Sequence, residues 1–265
     1  MGKYILITNY NNIDDLNKAI DNCVDIIINS DYKLNEDIKI VTVSNYEYEN
    51  KNITNHIVSD GNHHLEGMKY IKSIDNDGII MFFDSDDIMY KNKLKIFDIN
   101  FNKYGYVTNY LKSFDGVILK NLKGYFSGIT INIKFYDINF LSQFNYNGFD
   151  SVIFFYAVEN NIKRKQKRKI YNGYTINSNS LSRKKEFKNL LNNTLIQCRD
   201  IFKNKKTIHY LDFFKYSGIL WDYKEKPYIN LKDLYKFYNA FDRDIIMDLA
   251  KLKRLIIILK NQVGK

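Results

Sequence analysis

The ten residues Gly78-Ile79-Ile80-Met81-Phe82-Phe83-Asp84-Ser85-Asp86-Asp87 carry the clearest structural signal in the chain. The apolar run at 79–83 is typical of a strand that is buried on both faces, as strands of parallel sheets are. Three carboxylates follow directly where this strand ends. Because ligands of such sheets bind beyond the carboxyl ends of the strands, we predict a ligand site at residues 84–87.

Two strand–helix units precede this stretch. Residues 3–8 and 37–43 are short apolar runs that predict strands, and each is followed by an apolar stripe with helical spacing. Asn12 is the predicted N-cap of the first helix, with Asp15 three residues on. This alternation predicts an α/β fold: a Rossmann-like, mostly parallel central sheet with right-handed crossovers, flanked by helices.

The pattern changes after Asp87. We predict helices at 90–97 and 150–160, and strands at 104–110, 116–120, 128–135 and 169–176. From residue 181 onward the apolar periodicity is helical. The predicted organisation is an α/β domain over 1–183, with a first part at 1–100 and a second at 101–183, followed by a helical C-terminal extension over 184–265.

Charge is divided unevenly along the chain. The 265 residues carry 40 Lys and Arg and 30 Asp and Glu, which gives a formal net charge of +10. Residues 1–100 have a net charge of −7, and residues 101–265 have one of +17. An acidic first part and a basic second part predict two faces with different partners.

Composition excludes several classes of protein. Hydrophobic residues make up 45% of the chain and charged residues 26%, which is typical of a globular protein rather than a disordered one. No apolar run approaches the ~20 residues of a membrane span, and residues 1–10 resemble a strand rather than a signal peptide. Cys23 and Cys198 are too few for a disulfide framework and lack metal-site spacing, which favours a cytoplasmic location.

The acidic cluster at 84–87 has three interpretations. Adjacent carboxylates repel one another unless a cation binds them; a hard divalent cation would suit them and could neutralise a departing diphosphate. The cluster would also suit the first turn of a helix, where carboxylates interact favourably with the helix dipole. A haloacid-dehalogenase-like phosphatase would have Asp-x-Asp-x-Thr/Val here, but Ile88 stands at the last position and two strands precede the motif.

Three segments resemble family-2 glycosyltransferases of the GT-A class. Residues 5–12 (Ile-Leu-Ile-Thr-Asn-Tyr-Asn-Asn) are similar to that family's opening Val-Ile-Ile-Pro-Thr-Tyr-Asn-Arg, and residues 82–87 (Phe-Phe-Asp-Ser-Asp-Asp) resemble its Phe-Leu-Asp-Ser-Asp-Asp. Residues 174–183 (Tyr-Thr-Ile-Asn-Ser-Asn-Ser-Leu-Ser-Arg) resemble Tyr-Arg-Ile-His-Glu-Asn-Ser-Leu-Ser-Arg. The resemblance spans roughly residues 3–183 and implies a GT-A fold in a divergent member of the family. Residues 1–183 would then be the catalytic domain, with a nucleotide-sugar-binding half at 1–100 and an acceptor half at 101–183.

The resemblance implies a site for a nucleotide-sugar donor, with a UDP-sugar expected. Tyr10 and Asn11 would lie near the base and ribose, Asp84 would help to hold the sugar-nucleotide, and Asp86 would coordinate Mn²⁺ or Mg²⁺ at the diphosphate, with Asp84 as a second metal ligand. The family has an acidic segment after the second strand, and residues 44–47 (Ser-Asn-Tyr-Glu) stand in its place here. The acidic contact to the base, which bears on uridine specificity, is therefore missing or moved. The predicted donor-binding residues are Thr8, Tyr10, Asn11, Asn45, Asp84, Ser85 and Asp86.

Asp150 is the predicted catalytic base. The family's base comes from a Glu-Asp pair that opens a helix before the last of the three segments, and Phe149-Asp150 occupies that place. Asp150 would take the proton from an acceptor hydroxyl as the oxygen attacks the anomeric carbon, and the family resemblance implies inversion there. The structural alternative is that Asp150 caps its helix. Asn177 replaces the family's usual histidine at a metal or diphosphate contact.

Two further features receive structural interpretations. His63 and His64 are adjacent and cannot share one face of a strand or helix, so a surface loop is favoured over joint metal ligation. Trp221 and the many tyrosines are predicted to be core residues rather than a platform for sugar.

The basic segment, residues 161–169, follows the helix of Asp150 and is predicted to lie on the acceptor side. Residues 161–206 have a net charge of +12. Such a surface suits the phosphates of DNA or an anionic membrane, which the amphipathic residues 249–259 would also favour; the alternative is a solvated basic face. The predicted acceptor or phosphate contacts are Lys163, Arg164, Lys165, Lys167, Arg168, Asn177 and Arg183.

The sequence therefore predicts a metal-dependent glycosyltransferase that moves a sugar from a nucleotide-sugar to a hydroxyl. The acceptor would be anionic or held at an anionic surface: modified DNA bases, as in a viral enzyme acting in the host cytoplasm, or a lipid-linked or cell-surface glycan reached by peripheral contact with the membrane's inner face. A second hypothesis is a catalytically decayed GT-A relative that binds nucleic acid or a membrane surface.

Overall fold

The computed structural model describes residues 1–113, 116, 118–119, 126–144, 148–174 and 185–216. The strands in these ranges are β1 (Lys3–Thr8), β2 (Ile38–Ser44), β3 (Asn55–Val58), β4 (Ile79–Asp84), β5 (Ile88–Met89), β6 (Tyr106–Ser113), β7 (Ile118–Leu119), β8 (Ile129–Asn132) and β9 (Arg164–Tyr174). The α-helices are α1 (Ile13–Ile28), α2 (His63–Ile74), α3 (Ile138–Leu141), α4 (Phe149–Glu159), α5 (Lys185–Ile201) and α6 (Lys205–Tyr216). Short 3₁₀ helices lie at Lys91–Asp98, Phe126–Gly128 and Ile133–Phe135.

The described strands form one sheet. Its order is β3-β2-β1-β4-β8-β6-β9-β5, and β7 pairs with β6 at the side. Six strands run in one direction, whereas β5, β7 and β8 run against them. The predicted mixed α/β fold with a mostly parallel central sheet is confirmed. The carboxyl ends of β1, β2 and β4 lie side by side, and we call this the carboxyl edge of the sheet.

Both faces of the sheet are buried, which explains the continuous apolar runs. Along β1, Tyr4 and Leu6 belong to one hydrophobic cluster, while Ile5 and Ile7 belong to the other. Alternate residues of a strand point to opposite faces, so a strand between two clusters must be apolar throughout. The first cluster draws on α2, α3, α4, α5 and α6; the second draws on α1 and the 3₁₀ helix Lys91–Asp98.

Two asparagines begin the helices that follow the carboxyl edge. The side chain of Asn12 accepts a hydrogen bond from the Asp15 N–H (3.2 Å) at α1, as the sequence predicts. Asn62 accepts one from the Leu65 N–H (3.2 Å) at α2. These caps satisfy backbone donors that the helices themselves leave unpaired. They also fix where each helix begins relative to the edge.

Several elements differ from the predictions; the strand predicted at 128–135, for example, is β8 followed by the 3₁₀ helix Ile133–Phe135. The strand β3 was not predicted, because Asn-His-Ile-Val is short and half polar. The helix predicted at 90–97 is a 3₁₀ helix at Lys91–Asp98 after the two-residue strand β5. β9 begins at Arg164 rather than residue 169, because pairing with β6 extends the strand through the basic segment.

Helices α5 and α6 pack on the same core as the sheet. Cys198, Phe202 and Tyr210 are buried and belong to the cluster that also contains α4. In the described ranges, no helix combines the length and apolarity needed to cross a membrane. The predicted division at residue 183, Trp221 and the tail at 249–259 lie outside the described residues and stay predictions.

Candidate active site

Thr8 and Asp84 meet at the carboxyl edge because β1 and β4 pair in register. Their Cα atoms are direct partners, and the Thr8 hydroxyl donates to Asp84 Oδ1 at 3.0 Å. Ser85 continues this contact, since its N–H donates to the Thr8 carbonyl oxygen at 3.1 Å. The structure therefore brings together three of the residues predicted for donor binding.

His64 joins this pair, which corrects the surface-loop interpretation of His63 and His64. The two histidines open α2; His63 is buried, at 7% exposed, and the side chain of His64 is 15% exposed. His64 Nε2 lies 3.1 Å from both Asp84 Oδ1 and Thr8 Oγ1. Because an ionised carboxylate only accepts hydrogen bonds, the network assigns a proton to Nε2. Asn62, a good N-cap before an apolar stripe, was the sequence signal for this helix start.

Asn9 is a second site residue that the sequence analysis missed. It is 3% exposed, and its side-chain amide donates to Ser85 Oγ at 2.6 Å. Its Oδ1 accepts from the Tyr46 hydroxyl at 2.6 Å. Asn9 thereby connects the ends of β1 and β4 with the segment after β2. Because burial is not visible in the sequence, no local signal distinguishes Asn9 from the other asparagines of this turn.

The turn after β1 places Tyr10 and Asn11 at the surface. Tyr10 is 62% exposed, and its ring lies 5.5 Å from the ring of His63. Asn11 has a left-handed backbone (φ 58°), a conformation that asparagine tolerates well. Its N–H donates to Asn45 Oδ1 at 3.2 Å. The exposed Tyr10 and Asn11 and the half-buried Asn45 thus form a rim beside Thr8 and Asp84.

Asp86 lies in the turn after β4 and is exposed, although surrounding atoms remove part of its solvation. That desolvation, followed by the charges of Asp84 and Asp15, raises the pKa of Asp86 to about 6. A bound cation would oppose this shift, because positive charge stabilises carboxylates. The oxygen atoms of Asp84 and Asp86 therefore suit Mg²⁺ or Mn²⁺.

Beyond these two carboxylates, the described part of the chain offers few metal ligands. Among the described residues, no group of three or more His, Cys, Asp or Glu side chains is placed to hold a metal ion. Mg²⁺ and Mn²⁺ commonly complete their coordination with water and substrate phosphate. A metal at Asp84 and Asp86 would thus depend on a phosphate-bearing ligand.

Asp150 lies in the first turn of α4 and is not its cap. Gly148 is the N-cap, with a left-handed backbone (φ 75°), which corrects the capping alternative. Asp150 is 8% exposed, and its Oδ1 accepts from the Ser151 N–H at 2.8 Å. A carboxylate in this turn also interacts favourably with the helix dipole.

Aromatic contacts connect the start of α4 to the carboxyl edge. The ring of Phe149 stacks 6.5 Å from that of Phe126, and Phe126 in turn stacks 3.4 Å from the ring of His64. His64 contacts Asp84. The residue before Asp150 is thus connected to the acidic turn through two rings.

Residues 164–169 of the basic segment lie in β9, and one of them, Arg164, packs in the core. Arg164 is 6% exposed, donates to the Ala157 carbonyl oxygen (3.3 Å), and lies over the ring of Phe154. Burial among rings gives Arg164 a packing role and keeps it out of the exposed cationic surface; its role as an acceptor contact stays a prediction. Lys163 and Arg168 are exposed, and Lys165 and Lys167 are partly exposed.

The pairing of β9 with β6 is interrupted within the basic segment. Asn109 pairs with Lys167, Tyr110 with Ile170 and Leu111 with Asn172, so Arg168, Lys169 and Tyr171 are extra residues on β9. Arg168 and Lys169 are exposed, whereas Tyr171 is buried. Asn177 and Arg183, the remaining predicted contacts, lie outside the described residues.

The fold is that of the GT-A-like glycosyltransferases. TarS of S. aureus is among the solved proteins that share it. Its 1–349 fragment in complex with UDP-GlcNAc matches with a TM-score of 0.60 at 12% identity, over 98% of this chain and 84% of that one. The fragment in complex with UDP matches with a TM-score of 0.54 at 12% identity, over 100% and 92%.

A longer TarS chain matches with a TM-score of 0.58 at 11% identity, over 98% of the present chain. The present chain spans 54% of that longer chain. No protein-family model and no curated protein matches the sequence. At these identities the likeness establishes the fold, and activity has to be argued from the site.

Proposed function

We propose that the chain is a glycosyltransferase that moves a sugar from a nucleotide-sugar to an acceptor hydroxyl. The proposal rests on the hydrogen-bonded contacts among Thr8, His64 and Asp84. These side chains lie at the carboxyl edge of a GT-A-like fold, beside Asp86. A UDP-sugar is the preferred donor, because TarS, which shares the fold, was solved with UDP-GlcNAc.

Asp84 and Asp86 would hold Mn²⁺ or Mg²⁺, which would neutralise charge on the departing diphosphate. Neighbouring side chains of the protein would position these metal ligands. Thr8 and His64 fix Oδ1 of Asp84, so the free rotation of that carboxylate is removed before ligand binds. Tyr10 and Asn11, on the rim, would contact the base and ribose.

Asp150 would act as the general base. In this step the acceptor hydroxyl passes its proton to Asp150, its oxygen bonds to the anomeric carbon, and the bond from that carbon to the diphosphate oxygen breaks. Inversion at the anomeric carbon follows from attack opposite the leaving group. The burial of Asp150 and its connection to His64 through Phe149 and Phe126 support this role.

The acceptor would be anionic or held at an anionic surface. The exposed cations on and around β9 support this: Lys163 and Arg168 are exposed, and Lys165 and Lys167 partly so. DNA with modified bases and a lipid-linked glycan at a membrane are the two acceptors to separate. The free, buried Cys23 and Cys198 suit a reducing, cytoplasmic setting.

Donor binding is the first experiment. Calorimetry and thermal shift with UDP-, GDP- and CDP-sugars, with and without Mn²⁺, should show binding and a higher Tm, since a ligand of the native state stabilises it. Asp86→Ala should lose metal-dependent binding, and the exposed Asp200→Ala should retain it. Unchanged metal and donor binding in Asp86→Ala would refute the assignment of Asp86.

The role of Asp150 is tested by Asp150→Asn. We expect donor affinity to be preserved and the transfer rate to fall by about 10²–10⁴, the usual range for a lost general base. Asp200→Asn, which makes the same change at an exposed position of α5, is the matched control. Full transfer activity in Asp150→Asn would remove Asp150 from the mechanism.

Binding assays distinguish the two candidate acceptor classes. They use duplex DNA and vesicles rich in anionic lipid, each at low and high salt. Binding to one polyanion that falls with salt, and that weakens in Lys163→Glu and Arg168→Glu, would identify the acceptor class. The competing hypothesis, a decayed relative that only binds such surfaces, is favoured if polyanion binding is retained while no nucleotide-sugar binds with Mn²⁺ present.

A further inference from the structure

The 3₁₀ turn Phe126–Gly128 contacts several parts of the site. The Asp84 N–H donates to Ser127 Oγ at 2.9 Å, which ties the turn to the end of β4. The ring of Phe126 stacks on His64, with 3.4 Å between ring centroids, and also faces Phe149. The placement of this turn therefore affects both Asp84 and its partner His64.

A fully buried lysine donates a hydrogen bond to the backbone of this turn. Lys93, in the 3₁₀ helix Lys91–Asp98, is 0% exposed. Its ammonium donates to the Ser127 carbonyl oxygen at 2.8 Å and to Asn109 Oδ1 at 2.6 Å. Asp87, itself 5% exposed and next to Asp86, provides the negative charge that partly offsets this burial.

Burying an ammonium is costly, and an apolar side chain of similar length would fill the same space without that cost. The two hydrogen bonds of Lys93 join elements that are distant in sequence: the 3₁₀ helix after the acidic turn, strand β6 at Asn109, and the turn at Ser127. Methionine could fill the volume but could not make these bonds.

We propose that Lys93 is a positioning residue for the candidate site: it fixes the turn Phe126–Gly128, and through Ser127 and Phe126 it orients Asp84 and His64. The proposal rests on the proposed function for its effect on donor binding. Its structural part, the placement of Asp84 and His64, stands apart from the reaction and can be measured without any ligand.

The ligand-free test uses Lys93→Met, with the exposed Lys91→Met in the same 3₁₀ helix as control. In Lys93→Met we expect faster hydrogen exchange of the Asp84 amide and a shift of the His64 ring protons in NMR spectra, because those protons lie over the Phe126 ring. Lys91→Met should resemble the wild type. A folded Lys93→Met with wild-type exchange and wild-type His64 signals would overturn the proposal.

The functional test is a double-mutant cycle on donor binding in the presence of Mn²⁺. Lys93→Met should weaken affinity about 10–100-fold, the range typical of residues that orient metal ligands. Ser127→Ala should weaken it less, because the carbonyl held by Lys93 remains. If Lys93 acts through Ser127, the double variant should be no worse than Lys93→Met. If the losses of donor affinity in the two single variants multiply in the double variant, Lys93 does not act through Ser127.

Two outcomes keep this proposal separate from the proposed function. If the wild type binds no nucleotide-sugar, the proposed function fails, and the exchange and NMR comparison still decides the role of Lys93. If Lys93→Met does not fold, Asn109→Ala takes its place, since it removes one of the two acceptors of the ammonium. Wild-type exchange at Asp84 in a folded Asn109→Ala would then overturn the proposal.

Discussion

At the scale of single residues, the carboxylates of Asp84 and Asp86 influence each other's protonation. Asp84 contributes to the raised pKa of Asp86, about 6, after desolvation. Replacing Asp84 by Asn should therefore lower the pKa of Asp86 towards the ordinary range of aspartate, as followed by NMR titration of the carboxyl carbon. Asp200→Asn, far from the turn, should leave this pKa unchanged. A wild-type value in Asp84→Asn would contradict the charge coupling.

Because Lys93 is buried, we predict that it makes the stability of the protein depend on pH. Burial lowers its pKa from the ordinary 10.5 to about 7. Between these two pH values the unfolded chain binds more protons at this residue than the folded chain, so its contribution to the free energy of unfolding rises with pH. Urea unfolding at pH 7 and pH 9 should show a larger rise for the wild type than for Lys93→Met. Lys91→Met should behave like the wild type.

The sequence identified some site residues and missed others for a physical reason. Asp84, Ser85 and Asp86 were predictable because they follow a buried strand directly. Their partners Asn9 and His64 became visible only when pairing of β1 with β4 brought distant positions into hydrogen-bond range. Burial of Arg164 likewise depends on helices that pack over β9, which local charge counts do not report.

At the scale of elements, α2 lies unusually close to β1 at Gly67. A Cβ on Gly67 would come within 2.3 Å of Leu6 Cδ1. Alanine normally stabilises a helix interior relative to glycine by about 1 kcal/mol, but here Gly67→Ala should destabilise the protein by about 1–3 kcal/mol through overpacking. Denaturant unfolding measures the change, and the exposed Ser73→Ala on the same helix is the control. A gain in stability in Gly67→Ala would show that α2 can shift away from β1.

Elements with strong local signals were predicted well. β1, β2 and β4 are apolar on both faces, and α1 has a capping asparagine and an apolar stripe. β3 and the first half of β9 are short or charged, and they form strands because a neighbouring strand offers backbone partners. Such long-range pairing cannot be inferred from the composition of the segment itself.

At the scale of the whole molecule, the core continues from the sheet into α5 and α6. Phe202 is 1% exposed and stacks with Phe144, 5.4 Å between rings. Phe202→Ala should cost about 3–5 kcal/mol, as buried Phe-to-Ala changes do. Hydrogen exchange of β4 amides should then accelerate with the same change in free energy. Ile196→Ala, at an exposed position of α5, should do neither. Unchanged β4 exchange in Phe202→Ala would mean that α5 unfolds separately.

The interruption of the β6–β9 pairing has a consequence for how this segment could vary during evolution. Arg168, Lys169 and Tyr171 have no Cα partner on β6; the neighbours Arg168 and Lys169 are both exposed, whereas Tyr171 is buried. Extra residues of this kind stand outside the regular strand ladder. Exchange of Arg168 or Lys169 for another side chain would therefore change the charge displayed here without removing a β6–β9 residue pair.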